Sequence, residues 1–167
     1  SPTDFPAIRQ FALDNALDMV VVGPEAPLVA GIYDFFQEDK ALQSIQVVGP
    51  SKTAAMLEGS KGFAKAFMQR YGIPTAAYRE FSQDELEAGL DYIRQQTPPI
   101  VLKADGLAAG KGVLICPDIS TAEQEFTAML DGKFGEAGRK VVIEAFLDGI
   151  EFSVFVLTDG KDYQLLP

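Results

Sequence analysis

The chain has 167 residues, of which 47% are hydrophobic and 23% are charged, proportions typical of a folded domain rather than a disordered one. Its formal net charge of −10 has the wrong sign for non-specific binding to nucleic acid or to an anionic membrane surface. The longest apolar runs fall far short of the roughly 18 residues of a membrane-spanning helix. We therefore expect small-molecule partners, and neither nucleic acid nor a membrane.

The sequence contains no histidine and a single cysteine, Cys116. A histidine-containing catalytic triad, a metal site built on histidine and an intrachain disulfide are therefore excluded within this chain. One unpaired cysteine is typical of a reducing compartment, so we predict a cytoplasmic protein. The chain starts without methionine and stops as an extended segment begins, from which we expect an internal fragment of a longer protein.

The first fifty residues alternate between helix and strand. Helical spacing of apolar residues predicts helices over residues 6–17, with Asp4 as cap, and 28–38. Short apolar runs predict strands at 18–22 and 45–48, each followed by Gly-Pro. Two strand–helix units in succession indicate a parallel sheet, and ligands of such sheets bind beyond the carboxyl ends of the strands.

The middle of the chain is the most basic part, since residues 51–112 carry eight of the 14 lysines and arginines. Helices are predicted over residues 52–57, 61–71 and from Ser82 to about 96, and Ser82 with Glu85 forms a possible capping box. Residues 77–81 are predicted to be extended. Pro98 and Pro99 mark the clearest boundary in the chain.

The last third of the chain, residues 98–167, predicts a small α+β lobe of its own. Its expected strands are residues 100–104, 112–116, 140–146, 152–157 and 163–166, and its expected helix is 121–130. Together with the earlier elements, this order indicates the α/β class.

The strongest candidate for a ligand site is the Gly-rich loop after the strand at 100–104. It reads Lys103-Ala-Asp-Gly-Leu-Ala-Ala-Gly-Lys111-Gly112. Small residues let backbone N–H groups approach an anion closely, and the lysines add positive charge. The spacing fits neither a P-loop nor a dinucleotide-binding fingerprint, and a plain hairpin turn is the alternative interpretation.

Two further segments are candidates for the same site. Lys61 starts a predicted helix, where free N–H groups and the helix dipole attract anions, although a lone surface lysine is the simpler interpretation. The segment from Glu144 to Glu151 leaves a predicted strand. It could offer backbone hydrogen bonds to a purine and a carboxylate to a ribose, or simply form a hairpin with two exposed acids.

In this order, these features resemble the ATP-grasp superfamily, in which two α+β lobes enclose ATP. The closer resemblance is to its glycinamide ribonucleotide synthetase (phosphoribosylamine–glycine ligase) family. The similar motifs are Val21-Val-Gly-Pro-Glu-Ala-Pro-Leu-Val29, Leu57-Glu-Gly-Ser-Lys-Gly-Phe63, Ile73-Pro-Thr75, the Gly-rich loop to Val113, and Glu144-Ala-Phe-Leu-Asp-Gly-Ile-Glu151. They follow one another over nearly the whole chain.

The resemblance implies a role for each matching residue. The ATP phosphates and the loop folding over them would involve Lys61, Lys103, Asp105, Gly106, Ala109, Gly110, Lys111 and Gly112. The adenine and ribose would be met by the hinge residues Glu144, Ala145, Phe146 and Leu147 and by Glu151, with Ala145 and Leu147 acting through backbone atoms and Glu151 binding the ribose hydroxyls. The phosphoribosylamine would be faced by Gly23, Pro24 and Glu25.

The fold that the resemblance implies is part of a parallel-sheet N-terminal domain (1–50), ATP-grasp core and linker helices (51–97) and a small α+β lid lobe (98–167). The implied activity is ATP-dependent ligation of glycine to 5-phosphoribosylamine through glycyl phosphate, in purine biosynthesis. The ligands of the family's Mg²⁺ or Mn²⁺ are expected beyond Pro167 and no catalytic residue is expected within this chain, so we expect this piece alone to be inactive. Another ATP-grasp carboxylate–amine ligase and a non-catalytic nucleotide-binding module remain alternatives.

Overall fold

The computed structural model describes residues 1–166, and the first half of the chain consists of helices and two short strands. The elements are α1 (Phe5–Asp14), β1 (Met19–Val21), α2 (Glu25–Ala30), α3 (Ile32–Glu38), β2 (Gln46–Val48), α4 (Lys52–Gly59) and α5 (Lys61–Arg70). The two strands pair in parallel, which confirms the sheet predicted from the two strand–helix units. The core of this half is formed by Ala12, Ile32, Phe36, Leu42 and Ile45.

The second half is a four-stranded antiparallel sheet with two helices on one side. Its elements are β3 (Tyr78–Ser82), α6 (Leu86–Arg94), β4 (Ile100–Ala104), β5 (Val113–Cys116), α7 (Ile119–Ala128) and β6 (Lys140–Ala145). The strand order is β3-β6-β4-β5. A separate antiparallel pair, β7 (Val156–Thr158) and β8 (Tyr163–Leu165), ends the described chain.

The two faces of the four-stranded sheet differ in character. Because side chains alternate along a strand, Leu102 and Ile143 point to one face, where they pack with Phe126 of α7 in an apolar core. Lys103 and Glu144 lie on the opposite face, where Glu144 contacts α5. The sheet therefore presents its charged groups to the helix that joins the two halves of the chain.

Polar caps fix the starts of several helices, as the sequence predicts for Asp4. The Asp4 carboxylate accepts a hydrogen bond from the N–H of Ala7, and Ser51 and Ser60 cap α4 and α5 in the same way. The capping box of Ser82 and Glu85 is also confirmed, although it opens a short 3₁₀ turn before α6. The helix predicted from residue 121 starts two residues earlier, after the Asp118 cap.

Two predicted elements are wrong. The single helix expected over residues 28–38 is divided into α2 and α3 at Gly31, whose φ of 97° lies in the left-handed region and turns the chain. The strand expected over 152–157 begins only at Val156, because residues 151–155 take part in no ladder within the described chain. The predicted strand at 163–166 is present as β8.

The boundary predicted at Pro98 and Pro99 lies inside the second half of the fold. β3 and α6 precede it in the chain, yet Tyr78 of β3 pairs with Glu144 of β6, and Ile93 of α6 joins the core below the sheet. Residues on both sides of the boundary thus share one sheet and one core. The division at 97/98 stays a prediction, and Pro167 lies outside the described residues. None of the helices in residues 1–166 is long and apolar enough to cross a membrane.

Candidate functional site

The charged face of the sheet centres on a carboxylate shared by two lysines. Lys103, one residue before the end of β4, places its Nζ 3.0 Å from Oε2 of Glu144, and Lys65 of α5 places its Nζ 3.1 Å from the same oxygen. The Glu144 and Lys65 side chains are only 5% and 6% exposed, whereas Lys103 is 29% exposed. The accessible end of this cluster is therefore the Lys103 ammonium.

Lys65 is held by more than its ion pair. Its Nζ also donates to Oγ1 of Thr75 at 2.7 Å and to the carbonyl of Ala76 at 3.2 Å, and it lies 5.4 Å from the centre of the Tyr78 ring. The ammonium group thus has two hydrogen bonds besides its ion pair with Glu144. The loop between α5 and β3 thus fixes a buried positive charge against the sheet.

Glu144 is incompletely satisfied. Its Oε2 receives both lysines, while its Oε1 is buried and has no hydrogen-bond donor among the described residues. An unpartnered buried carboxylate oxygen costs free energy, so native structures keep very few of them. This oxygen can accept one more N–H.

The N-terminus of α5 is already occupied by a side chain of this chain. Oδ1 of Asp105 accepts hydrogen bonds from the N–H of Gly62 at 2.7 Å and from the hydroxyl of Ser60 at 2.9 Å. The N–H and the Nζ of Lys61 both reach backbone carbonyls at the start of the Gly-rich loop. The anion-attracting end of this helix therefore holds the loop in place.

The Gly-rich loop leaves β4 and returns as β5 through a tight turn. The N–H of Ala104 donates to the carbonyl of Gly112 at 2.7 Å, and the N–H of Lys111 donates to Ala108 at 2.9 Å. Ala109 and Gly110 have φ values of 48° and 74°, which lie in the left-handed region. A Cβ on Gly112 would lie 2.7 Å from that of Ala108, so only glycine fits there.

A cavity of about 580 Å³ joins the loop to the first half of the chain. On one side its lining includes Glu25, Glu58 and Lys61, and on the other it is formed by Leu107, Ala108, Ala109, Gly110, Gly112 and Val113. The structure thus brings Glu25 and Lys61 together with the loop. Gly23, Pro24 and Lys111 do not line this cavity.

The hinge segment after β6 lies apart from this cavity. The N–H of Ala145 donates to Ala77 at 2.9 Å, so it is engaged in the sheet. Phe146 and Leu147 are exposed, Leu147 by 69%. Glu151 lines a separate cavity of about 560 Å³ with Ile150, Phe152 and Ser153. The structure does not bring Glu151 into contact with the lysines of the sheet.

Further charges surround the shared carboxylate. Lys140 donates to Oε1 of Glu80 at 2.7 Å on the same face, and this hydrogen bond raises the pKa of Lys140 above its usual value.

On the opposite face, burial raises the pKa of the Cys116 thiol. A protonated thiol inside the core is a poor nucleophile, so Cys116 has a packing role.

Comparison with known families assigns the chain. Residues 59–167 match the family described as phosphoribosylglycinamide synthetase, ATP-grasp (A) domain, and residues 1–58 match the N domain of the same synthetase. The chain belongs to the phosphoribosylglycinamide synthetase family. The resemblance read from the motifs is thereby confirmed, and so is the α/β, ATP-grasp fold class.

The chain is similar over almost its whole length to other members of the family. It is 50% identical over 165 residues to the phosphoribosylamine–glycine ligase of Haemophilus influenzae, covering 98% of this chain and 37% of that protein. The crystal structure of the Thermotoga maritima phosphoribosylamine–glycine ligase superposes with a TM-score of 0.75 at 32% identity, covering 95% of this chain and 37% of that one. The chain thus spans little more than a third of the length of the curated relatives it matches.

A more distant structure shares the fold alone. The N5-carboxyaminoimidazole synthase of Aspergillus clavatus, solved with ADP and 5-aminoimidazole ribonucleotide, gives a TM-score of 0.67 at 19% identity, over 99% of this chain and 39% of that one. The architecture of the synthetase piece is therefore found in an enzyme of different specificity.

Sequence reasoning missed Lys65, the most buried positive charge of the site. One signal was available: Lys65 follows Lys61 by four residues, so both lie on the same side of α5. The motif Ile73-Pro-Thr75 belongs to the resemblance, but the sequence suggests no role for it. The structure gives it one, since Thr75 accepts a hydrogen bond from Lys65.

Proposed function

We propose that this chain forms the ATP-binding part of a phosphoribosylamine–glycine ligase. In that reaction the carboxylate of glycine attacks the γ-phosphorus of ATP and ADP leaves. The amine of 5-phosphoribosylamine then attacks the acyl carbon of glycyl phosphate and inorganic phosphate leaves. The observation that carries the proposal is the cavity in which the Gly-rich loop meets Lys61 and Glu25. Lys103, at the start of that loop, is partly exposed but is not among the residues that line the cavity.

Charge and backbone geometry support phosphate binding here. Phosphoryl transfer depends mostly on positioning and on neutralisation of developing charge, which lysine ammonium groups and backbone N–H groups provide. Lys103 and Lys61 would hold the phosphates, and the loop over residues 105–112 would cover them. Asp105 contributes indirectly, since its carboxylate anchors the loop to α5.

The substrate side and the nucleoside side of the proposed site differ in how complete they are. Glu25 lines the cavity and would face the phosphoribosylamine with Gly23 and Pro24. The hinge from Ala145 to Leu147 would meet the adenine and Glu151 the ribose. The N–H of Ala145 is engaged, so its carbonyl would be the group facing the purine.

A divalent cation accompanies ATP in ligases of this kind, and Mg²⁺ or Mn²⁺ is the predicted ion. The described residues do not fit it, because residues 1–166 contain no group of three acidic or cysteine side chains that could hold a metal ion. We therefore derive no step through a metal held by this chain. The metal ligands stay predicted beyond Pro167, and no catalytic residue is predicted within this chain. The predicted division into 1–50, 51–97 and 98–167, and the cytoplasmic location, stay part of the proposal.

Calorimetric titration of ATP into the 167-residue chain tests the proposal. We expect measurable binding, weakened about tenfold or more by Lys103→Ala because a charge-assisted contact to phosphate is lost. Lys133→Ala is the matched control, since Lys133 pairs with Glu125 behind the apolar face and should leave affinity unchanged. An absence of ATP binding by the unsubstituted chain, or binding indifferent to Lys103→Ala, contradicts the proposed site.

A further inference from the structure

The buried lysine of α5 has no role in the mechanism described so far. We propose that Lys65 is a positioning residue: it neutralises Glu144, so that Lys103 presents a full positive charge to an anionic ligand. The ligand's identity as ATP rests on the proposed function. The charge arrangement itself rests only on the geometry of Lys65, Glu144 and Lys103.

Both ammonium groups approach the same carboxylate oxygen, at 3.1 Å for Lys65 and 3.0 Å for Lys103. Two positive charges and one negative charge leave the cluster with a net charge of +1. The Lys65 end is sealed by Thr75 and Ala76, whereas Lys103 is the more exposed partner. The excess charge is therefore available at Lys103.

Without Lys65 the balance would change. Glu144 and Lys103 would then form a one-to-one pair, and the carboxylate would cancel the charge that an incoming phosphate needs. Coulomb interactions in a site shielded from water are several times stronger than in bulk solvent, so the loss of one buried charge should be felt at Lys103.

A purely structural role for Lys65 explains the arrangement less well. Buried ion pairs contribute little net stability, and apolar side chains of similar volume replace them at no cost in many proteins. The cluster also leaves Oε1 of Glu144 without a donor among the described residues, which a stabilising network would avoid. The geometry instead maintains the charge balance at the expense of complete hydrogen bonding.

Four proteins separate charge from structure: the unsubstituted chain, Lys65→Met, Glu144→Gln and the double variant. In that order, the net charge of the cluster formed by Lys65, Glu144 and Lys103 is +1, 0, +2 and +1. Lys103 is acetylated with an uncharged N-hydroxysuccinimide ester and with its negatively charged sulfonated form, and peptides are quantified by mass spectrometry. The ratio of the two rates reports the local potential independently of how reactive the amine is. Lys133 serves as the internal reference.

We expect Lys65→Met to lower the sulfonated-to-uncharged ratio at Lys103 by about threefold, Glu144→Gln to raise it, and the double variant to restore it. ATP affinity should follow the charge, falling about tenfold in Lys65→Met. If Lys65→Met does not fold, the comparison of Glu144→Gln with the double variant carries the same test.

A ratio that is unchanged by Lys65→Met, or a double variant no better than Lys65→Met, overturns the proposal, because a structural defect would not be repaired by a second substitution in the same cluster. If the ratios behave as expected but the unsubstituted chain binds no ATP, the charge arrangement stands and the proposed nucleotide function fails.

Discussion

The two faces of the four-stranded sheet are built from the same strands but differ in burial and in charge. On one face Phe81, Leu102 and Ile143 are fully buried under α6 and α7. On the other, Lys103 and Glu144 share a charge cluster with α5, and Ile115 is 60% exposed. Because side chains alternate along a strand, one face packs into the core that stabilises the sheet, and the other carries the charged residues of the proposed site.

This separation gives the chemistry a rigid support. A residue on a strand whose other face is closely packed has little freedom to move, and that limits the positions that Lys103 can take. The loop that follows it is anchored at one end by Asp105 and, apart from Leu107 and Lys111, is made of glycine and alanine. A fixed lysine beside a loop of small residues is an arrangement suited to closing over a ligand.

The largest effect we predict comes from a matched pair of isoleucines on opposite faces of this sheet. Ile143→Ala should lower the free energy of unfolding by about 2–5 kcal/mol, since Ile143 is fully buried and its loss leaves a cavity. Ile115→Ala, on the exposed face, should cost less than about 1 kcal/mol. Urea unfolding followed by circular dichroism measures both.

Equal losses for the two isoleucines would break the comparison of the faces. They would mean that something covers the charged face in solution, and the exposure of Ile115 would then be a poor guide to what contacts it. The comparison is sharpened if only Ile143→Ala changes stability.

A smaller effect is expected where α5 approaches the charged face. A Cβ on Gly62 would lie 1.6 Å from Oε2 of Glu80, so Gly62→Ala must displace the carboxylate that Lys140 binds. We expect a destabilisation of about 1–2 kcal/mol, because overpacking outweighs the gain in helix propensity. In a Glu80→Ala background the same substitution should stabilise α5 by about 1 kcal/mol.

The reversal of sign is the decisive result, and it is measured by chemical unfolding of the four variants. Gly23→Ala is the control for a glycine with open space around it, where a Cβ meets nothing within 4 Å. If Gly62→Ala stabilises both backgrounds, α5 is not held against the sheet as the structure shows.

The elements that could be predicted are those whose signal is local. The bounds of β4, Ile100–Ala104, follow from an apolar run between Pro99 and the Gly-rich loop. The parallel pairing of β1 with β2 follows from repeated strand–helix units. In both cases a pattern along the chain is sufficient, either an apolar run between breaking residues or a strand–helix unit that repeats.

The errors arose where a distant contact decides the structure. An isolated glycine inside a helical pattern is compatible with a continuous helix, and only the observed φ of Gly31 shows that the chain turns. Residues 152–157 read as a strand, but a strand needs a partner, and only Val156–Thr158 pairs with β8. The apolar run at 152–157 does not show which of its residues will pair with another strand.

The site shows the same division. Lys61, Lys103 and the loop could be proposed from the sequence because a helix start marks Lys61 and a run of glycines and small residues marks the loop after Lys103. Lys65 was missed, since its significance depends on Glu144, which lies far along the sequence and reaches it only when β6 pairs with β3 and β4. The role of Asp105 as an anchor for α5 depends likewise on a contact between distant segments.

The smallest effects we predict are changes in stability with pH, at low pH for the apolar face and at high pH for the charged face. Hydrogen bonds from the backbone and hydroxyl of Thr121 lower the pKa of Asp118, which caps α7 over the apolar face. Its contribution to stability is thus present above the carboxyl's unfolded pKa of 3.8 and is lost as pH falls through the folded pKa. The hydrogen bond with Glu80 raises the pKa of Lys140 on the charged face, so that contribution is present below 10.5 and is lost as pH rises through the folded pKa.

The loss of stability at low pH and the loss at high pH can therefore each be tested with a separate variant. Asp118→Asn should flatten the acid limb of a plot of urea midpoint against pH and leave the alkaline limb unchanged, while Glu80→Gln should flatten the alkaline limb. Both changes should be small because these groups are largely exposed and screened by solvent. If Asp118→Asn alters both limbs equally, the cap on the apolar face and the ion pair on the charged face are coupled through the sheet, and the two faces are less independent than the strand alternation implies.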